Sequence, residues 1–394
     1  MRFKELPAEA RRYILYHTLI SPILITWYML PFYLLMTGYS VLEVGVIFTI
    51  AQVVSIPVTL ILGKVFTHVD LRKGLMAIDL MGSISLVCYY LAYGPLAPLM
   101  VVMGELIDNI AGTLYFLYPA YERIVYPEDR MKEALAWHLR LPELSTIIVY
   151  PIIGYILGYL CADVKCFRNA FLLFAIYELM FIPYIFFCFK PIVLSSKEDK
   201  KERSMNLRDL WNRYGLYIVA DLLFILAWSL TPGLALVYFV LKRLKGNMFH
   251  VALIEAAIST ATLTSTYITD LIKPDRAFQA LQIGTFVTII GLSLMATTNN
   301  FIMILIAAYI TRIGDALVFV FKRTWLYSIM TREEASVMSA ALSSIRKVIS
   351  IVSPFIVGLL SYVDPRMPYI ACIILLATTI PIYYVASKCT NVRS

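Results

Sequence analysis

Long apolar runs constrain this chain more than any other feature. Residues 41–62 and 281–295 are nearly continuous apolar stretches within segments of the length that crosses a bilayer as a single helix. Of 394 residues, 60% are hydrophobic and 15% are charged, against about 45–50% and about 25% in soluble proteins. The runs lack the two-residue alternation of a β-barrel. The composition therefore predicts an all-α integral membrane protein and excludes soluble enzymes, nucleic-acid binders and disordered proteins.

The apolar runs predict twelve transmembrane helices in two groups of six. The spans lie near residues 13–36, 41–63, 74–93, 97–122, 133–160 and 168–189, then 214–240, 248–271, 276–297, 299–322, 334–361 and 368–387. We therefore predict an N-terminal bundle over 1–190, a linker loop over 191–213 and a C-terminal bundle over 214–394. The charged segment 1–12 lacks a small-residue cleavage site, which indicates a tail and not a signal peptide.

Lys and Arg are distributed unequally between the two sides of the membrane. With the N-terminus inside, 24 of the 34 basic residues are cytoplasmic, six are external and four lie within spans (Arg140, Arg312, Arg346 and Lys347). This ratio of about four to one follows the positive-inside rule. It predicts a multi-pass protein of the cytoplasmic membrane with both termini cytoplasmic, and it explains the net charge of +8 without nucleic acid. Cys161 and Cys166 bracket one external loop. They either form a disulfide or remain as two free thiols.

The two halves of the sequence repeat each other. The repeated elements are Trp27-x-x-x-Pro31 and Trp228-x-x-x-Pro232 in spans one and seven, then Pro151-x-x-Gly154 and Pro354-x-x-x-Gly358 in spans five and eleven. Because proline removes a backbone hydrogen bond, each of these four prolines predicts a helix bend. Six spans per repeat give both halves the same polarity. We expect two pseudo-symmetric bundles related by an axis along the membrane normal.

These features resemble the major facilitator superfamily over the whole chain. That family carries a Gly-x-x-x-Asp-Arg/Lys-x-Gly-Arg/Lys signature between spans two and three. The same loop here holds Gly63, Asp70, Arg72, Lys73 and Gly74 at stretched spacing, and the equivalent loop of the second half holds Asp270 and Arg276. The resemblance implies that acids and bases at these helix ends form ion pairs that break as the halves rock. It also implies a transporter with a small-molecule substrate.

Charged residues inside the predicted spans are the candidates for binding. Each costs at least about 2.5 kcal/mol at the centre of a membrane helix, so it usually faces a cavity or a partner. The candidates for substrate and proton binding are Asp108, Arg312, Glu105, Asp315, Arg140, Glu143 and Arg346. In the resembled fold, spans one, four, seven and ten line the central cavity. Aligning the halves at an offset of 204 residues places Arg312 opposite Asp108.

We therefore predict that Asp108 and Glu105 exchange protons, while Arg312 tunes them or holds an anionic part of the substrate. The alternative is that these charges form structural ion pairs between packed helices. Arg312 and Asp315 are three residues apart and can neutralise each other. Asp79 and Glu178 are interpreted as helix-packing partners, and His17 and His138 as hydrogen-bonded packing residues.

The function implied by this resemblance, together with the charged residues in the spans, is proton-coupled secondary active transport by a monomer. No Cys/His group has metal-ligand spacing, and no phosphate-binding loop or nucleophile–base pattern is visible, so we expect no metal, no cofactor and no enzyme activity. Two alternatives remain open: a facilitative uniporter of the same fold, and a membrane sensor or receptor that does not translocate. A channel fits less well, because repeated proline bends suit rocking halves.

Overall fold

A computed structural model describes residues 3–65, 70–192, 207–231, 233–273, 276–330 and 335–391. The longer elements in these ranges are α-helices. The first eight are α1 Ala8–Ile20, α2 Thr26–Met36, α3 Val41–Val65, α4 Leu71–Leu91, α5 Ala97–Gly112, α6 Leu117–Val125, α7 Met131–Tyr155 and α8 Val164–Leu179. The next eight are α9 Phe181–Cys188, α10 Leu207–Ser229, α11 Leu234–Lys242, α12 Met248–Leu271, α13 Ala277–Thr297, α14 Phe301–Ile329, α15 Ala335–Val363 and α16 Met367–Asn391.

The chain forms two compact units, Met1–Asp199 and Lys200–Ser394. The division falls inside the predicted linker, and residues 193–206 of that linker lie outside the described residues. The first unit contains α1 to α9 and the second contains α10 to α16. Each unit buries its own apolar core, as expected for helices that pack through apolar faces.

Ten helical segments among the described residues are long and apolar enough to cross a membrane. The pair α10 and α11, bent by 40°, makes an eleventh if it counts as one span. The described apolar part of α3, Val41–Pro57, is shorter than a full span. Every one of the twelve predicted spans coincides with helix, but ten or eleven crossings is the number that the described part of the chain supports.

The helices of the two units pack in the same order. In the first unit, α4 packs on α5 and α8, α3 packs on α5, and α1 packs on α7. In the second unit, α13 packs on α14 and α16, α12 packs on α14, and α10 packs on α15. These pairs match span for span. The repeated packing supports the duplication that the Trp and Pro positions indicate.

Helices α13 and α14 are held together by small residues. A Cβ atom added to Gly314 would lie 2.6 Å from the backbone nitrogen of Thr288, and one added to Gly284 would lie 2.8 Å from the Gly314 carbonyl oxygen. The two backbones are therefore in direct contact, which glycine permits in membrane helix packing. This contact anchors α14, the helix that carries Arg312, Asp315 and Lys322.

Three of the four predicted bend prolines lie inside helices. Pro31 is in α2, Pro151 is in α7 and Pro354 is in α15. Pro232 lies outside the described residues, between the end of α10 and the start of α11. The α7 helix continues into a single π-helical turn, Ile156–Leu160. Irregular turns of this kind are common next to prolines in membrane helices.

Cys161 and Cys166 form a disulfide in the loop between α7 and α8, with their Cα atoms 5.8 Å apart. The Asp163 carboxylate caps α8 by accepting a hydrogen bond from the Cys166 backbone N–H at 2.7 Å. Of the two arrangements that the sequence left open, the structure has the disulfide. The bond and the cap together order the start of α8.

Candidate transport and ion-binding sites

The two predicted proton-exchanging acids lie on α5 in different surroundings. Glu105 Oε1 accepts a hydrogen bond of 2.8 Å from the Tyr89 hydroxyl of α4. Asp108 is half-buried and makes no hydrogen bond or ion pair with the described residues of its unit. The two carboxylates lie within electrostatic range of each other. Asp108 is therefore an acid without a cationic partner in the described part of the first unit.

Arg312 is already paired within the second unit. Its Nη1 atom forms an ion pair with the Asp315 carboxylate, and its Nε atom donates to Thr262 Oγ1 at 2.9 Å. Asp315 is 6% exposed. The three-residue spacing places both charges on one face of α14. The hydrogen bond from Arg312 to Thr262 connects α14 to α12.

A buried ion network connects α10, α14 and α15 in the second unit. Asp221 has no exposed surface. Lys322 Nζ lies 2.7 Å from Asp221 Oδ1, and Arg346 donates to both carboxylate oxygens at 2.9 Å. Two cations on one carboxylate satisfy the rule that buried charges occur in pairs or networks.

Lys322 corrects one assignment made from the sequence. The count of basic residues places it at the cytoplasmic end of span ten, as the last residue of the predicted span 299–322. In the structure α14 continues to Ile329, so Lys322 lies inside the helix and is 3% exposed. Trp325, Leu326 and Ile329, which follow it within α14, were the available signal. Arg346, a predicted site residue, is its neighbour across Asp221.

The first unit contains a cavity of about 580 Å³. Its lining includes four acids, two histidines and three residues with hydroxyl groups: Asp79, Glu122, Glu143, Glu178, His17, His138, Ser21, Tyr115 and Tyr118. No Lys or Arg lies among the described residues that line it. Acidic side chains raise the local concentration of cations when apolar walls surround them. The cavity therefore favours cationic ligands or protons.

Asp79 and Glu178 are buried at the wall of this cavity, 1% and 8% exposed. Asp79 Oδ1 accepts a 2.6 Å hydrogen bond from the Tyr16 hydroxyl. Asp79 Oδ2 and Glu178 Oε2 are buried and have no hydrogen-bond partner among the described residues. Glu178 also packs against Gly82, where any added Cβ would collide with its carboxylate. Beyond the predicted helix packing, both acids have oxygen atoms available to a ligand.

Three residues that are distant in sequence meet at one end of the cavity. His17 on α1, Glu122 on α6 and His138 on α7 place ligand atoms within 4.8 Å of one another. His138 makes the predicted kind of packing contact, because its Nδ1 atom is 2.6 Å from the Tyr126 hydroxyl. His17 does not, because its buried Nε2 atom has no hydrogen-bond partner among the described residues.

Glu122 was not among the candidate binding residues predicted from the sequence. It lies at the last turn of span four, where a carboxylate is usually solvated. Its four-residue spacing from Tyr118, which also lines the cavity, places both on one helix face. That spacing was the signal available in the sequence.

The loop residues of the family-like signature contact the end of the first unit. Asp70 caps α4, accepting from the Arg72 backbone N–H at 2.9 Å and from the Ile192 N–H at 3.3 Å. Arg72 Nη1 donates to the Phe186 carbonyl oxygen at 3.1 Å. Among the described residues Asp70 makes hydrogen bonds and no ion pair. This arrangement fixes the α4 start against the segment that follows α9.

The remaining predicted residues occupy helix ends or half-buried positions. Gly63 belongs to α3, Gly74 is buried in α4, and Lys73 is exposed there. Asp270 and Arg276 are exposed at the end of α12 and the start of α13, and residues 274–275 between them lie outside the described residues. Arg140 and Glu143 are half-buried on α7. The described structure places Glu143, but not Arg140, in the lining of the cavity.

Solved structures of transporters have the same fold over nearly the whole chain. A bacterial homologue of the iron transporter ferroportin, in an inward-facing state, has a TM-score of 0.74 at 10% identity, covering 96% of this chain and 98% of its own. A bacterial metal transporter has a TM-score of 0.70 at 12% identity, covering 97% and 99%. A POT family transporter in complex with a thioalcohol-conjugated peptide has a TM-score of 0.66 at 14% identity, covering 97% and 98%.

Sequence comparison identifies the family directly. No protein of curated function matches the sequence. The sequence model of the Major Facilitator Superfamily matches residues 144–354, more than half of the chain. The match spans parts of both units, and the fold of the described residues agrees with it. The chain belongs to the Major Facilitator Superfamily.

Proposed function

We propose that this protein is a secondary active transporter that moves a small molecule across the cytoplasmic membrane by alternating access, coupled to protons. Family membership and the repeated helix packing support the transport step. The observation that carries proton coupling is Asp108, an α5 acid with no cationic partner in the described part of its unit. A carboxylate in such surroundings binds and releases a proton as its environment changes.

The roles within the proposal follow the predicted set of residues. Asp108 and Glu105 exchange the proton, and Tyr89 positions the Glu105 carboxylate through its 2.8 Å hydrogen bond. Arg312 receives an anionic part of the substrate. Glu178 lies within electrostatic range of Asp108 and of Asp79, so the acids of the first unit respond to one another.

The test uses proteoliposomes loaded with a pH-sensitive dye. A panel of sugars, amino acids, organic anions and amphipathic cations is added outside, and proton movement is recorded with radiolabelled uptake. We expect proton movement tied to one class, lost in Asp108→Asn and kept in Asp129→Asn, whose carboxylate is exposed. Uptake driven by pH that persists in Asp108→Asn would show that Asp108 is not the coupling residue.

A facilitative uniporter of the same fold is the second candidate. One observation favours it: Arg312 already has Asp315 and Thr262 as partners within its unit, as expected of a structural charge. A uniporter would equilibrate a neutral solute without proton movement, and Arg312→Gln would then impair folding more than selectivity. Binding of a solute without any flux would instead favour a sensor.

We also propose that both termini are cytoplasmic and that the protein is a monomer. The count of basic residues supports the orientation, and the Cys161–Cys166 disulfide supports an external position for its loop, because disulfides form in oxidising compartments. A membrane-impermeant maleimide should label Asn299→Cys in intact cells and Glu128→Cys only after permeabilisation. The reverse labelling pattern would show that both termini are external. Light scattering of the detergent complex measures the oligomeric state.

A further inference from the structure

We propose that His17, Glu122 and His138 bind a divalent first-row transition-metal ion at the end of the first-unit cavity. Two imidazoles and one carboxylate are a donor set that suits zinc, iron and related ions better than magnesium or calcium, which prefer oxygen ligands alone. The three side chains come from α1, α6 and α7. A small ion between them would join three helices that meet at the cavity.

The distances fit an ion with little movement of the side chains. The His138 Nδ1 atom lies 3.4 Å from Glu122 Oε1. Two ligand atoms on a tetrahedral ion with bonds of about 2.0–2.2 Å are separated by roughly 3.4 Å. All three ligand atoms already lie within 4.8 Å of one another, so His17 needs only a small approach. The Tyr126 hydroxyl is 2.6 Å from His138 Nδ1, and a metal bound at that nitrogen replaces this contact.

Neighbouring aromatic residues orient the proposed ligands. The Tyr13 hydroxyl donates to Glu122 Oε1 at 3.2 Å, and Tyr13 itself is fully buried. Its ring packs edge-on against both histidines, with centroid distances of 4.6 Å to His17 and 5.5 Å to His138. The two imidazoles are 4.5 Å apart. Such supporting contacts hold metal ligands in position before the ion arrives.

The charges beside the proposed ligands favour a cation. Asp79 Oδ2 and Glu178 Oε2 are buried at the wall of the same cavity without hydrogen-bond partners among the described residues. No Lys or Arg lies among the described residues that line this cavity. Unpaired buried acids are costly in a low-dielectric interior, so a bound cation stabilises them.

The second unit shows what occupies the equivalent place when the protein supplies its own cations. Its α10, α14 and α15 correspond to spans one, four and five of the first unit, and there Lys322 and Arg346 surround Asp221. In the first unit the same three spans carry His17, Glu122 and His138. At the offset of 204 residues His17 corresponds to Asp221, whereas Tyr118 and Pro142 correspond to Lys322 and Arg346, so the first unit carries no cation at these positions.

The site has three protein ligands, so coordination positions remain open for water or exchange. An incomplete set drawn from three helices favours a releasable ion over a permanent structural one. We infer that the ion is cargo; this second step rests on the proposed transport function, whereas binding does not.

Binding is measured first, on the tag-free, full-length protein in detergent. Isothermal titration with Zn²⁺ and the visible absorption of added Co²⁺ report affinity and ligand type, with Mg²⁺ as the comparison ion. We expect one Zn²⁺ per chain and Co²⁺ bands of nitrogen–oxygen coordination. His17→Gln, Glu122→Gln and His138→Gln should each lower affinity at least about tenfold. His250→Gln is the matched control, because His250 lies in the second unit at the start of α12.

If a ligand variant fails to fold, Tyr13→Phe keeps the test decisive. It removes one hydrogen bond to Glu122 and should weaken Zn²⁺ binding by about tenfold while the protein stays monodisperse. The site proposal is overturned by any of three results: no Zn²⁺ or Co²⁺ binding, Mg²⁺ binding as tight as Zn²⁺ binding, or affinity unchanged in His17→Gln and His138→Gln.

Flux is measured separately, in proteoliposomes containing a zinc-sensitive dye. Uptake of Zn²⁺ that is lost in His138→Gln and kept in His250→Gln supports the ion as cargo. Binding without Zn²⁺ flux, alongside proton-linked uptake of an organic solute, overturns the cargo step and leaves the proposed function standing. Binding with no flux of any solute in the panel counts against the proposed function and leaves the metal site standing.

Discussion

The two units share one helix packing order but neutralise their internal charges differently. In the second unit, Asp221 is enclosed by Lys322 and Arg346, and Asp315 is paired with Arg312. In the first unit, the acids that line the cavity face two histidines, and no Lys or Arg lies among the described lining residues. The same packing order thus occurs in one unit where Asp221 and Asp315 have cationic partners, and in another where Asp79 and Glu178 have buried oxygen atoms without hydrogen-bond partners among the described residues. The proposed metal ion would supply the cation in the first unit.

The largest expected effect is the loss of the carboxylate in the second-unit network. Asp221→Asn leaves the buried Lys322 cation without its partner, and breaking a buried ion pair in this way costs about 3–5 kcal/mol. The melting temperature in detergent, Tm, should fall sharply. Lys322→Met is the matched variant: it leaves Asp221 paired with Arg346 and should cost clearly less. Equal losses would show that the network does not depend on the carboxylate as its centre.

One glycine in each unit extends the comparison, because Gly314 packs against backbone and Gly82 packs against a side chain. Gly314→Ala pushes a Cβ atom onto the Thr288 backbone, which cannot move without separating α13 from α14. Overpacking of this kind costs about 1–3 kcal/mol. In Gly82→Ala the nearest atoms to the added Cβ belong to the end of the Glu178 side chain, which is flexible and can shift. We expect a lower Tm for Gly314→Ala and altered ion binding for Gly82→Ala, and the opposite assignment would contradict this account.

A surface ion pair provides a smaller effect with a defined pH dependence. Arg366 hydrogen-bonds Asp364 at 3.0 Å outside the spans and lowers the pKa of that carboxyl below its usual value. The stabilisation is present at neutral pH and is lost as pH falls through the lowered pKa. Such an exposed pair contributes little, because water and salt screen its charges. Comparison of Tm for the wild type and Arg366→Gln should show a small gap at pH 7 that closes in acid; a gap that widens there would refute the assignment.

The smallest expected effect on stability is in the first unit, where neutralising an acid should do little harm. Glu178→Gln removes a charge that has no cationic partner among the described residues that line the cavity. In metal-free buffer we expect the Tm of Glu178→Gln to equal that of the wild type or to be slightly higher. The Tm of Asp221→Asn should be much lower. The shift in Tm on adding Zn²⁺ should become smaller in Glu178→Gln, because fewer acids attract the ion. A large loss of stability without metal would remove the distinction between the two units.

The helices and the duplication were readable from the sequence because both depend on local or repeated patterns. Runs of apolar residues predicted helix at all twelve positions, and Trp27 with Pro31 identified the repeat. The number of full crossings was less readable: the described apolar part of α3 is short, and α10 and α11 are bent relative to each other. Lys322 was misplaced because a charge near the end of an apolar run looks interfacial, while the true helix continues for another two turns.

The charged sites also fall into two groups, those that the sequence predicted and those that only the tertiary structure revealed. The sequence by itself determined the membrane class, the helical fold and the Arg312–Asp315 pair, since an i,i+3 spacing places two side chains on one face of a helix. Only the tertiary structure decided that Asp221 meets Lys322 and that His17 meets His138, because these residues are about a hundred or more positions apart and lie on different helices. No spacing rule along one chain segment encodes contacts between helices. Those contacts depend on which faces pack together, and packing is a property of the folded unit.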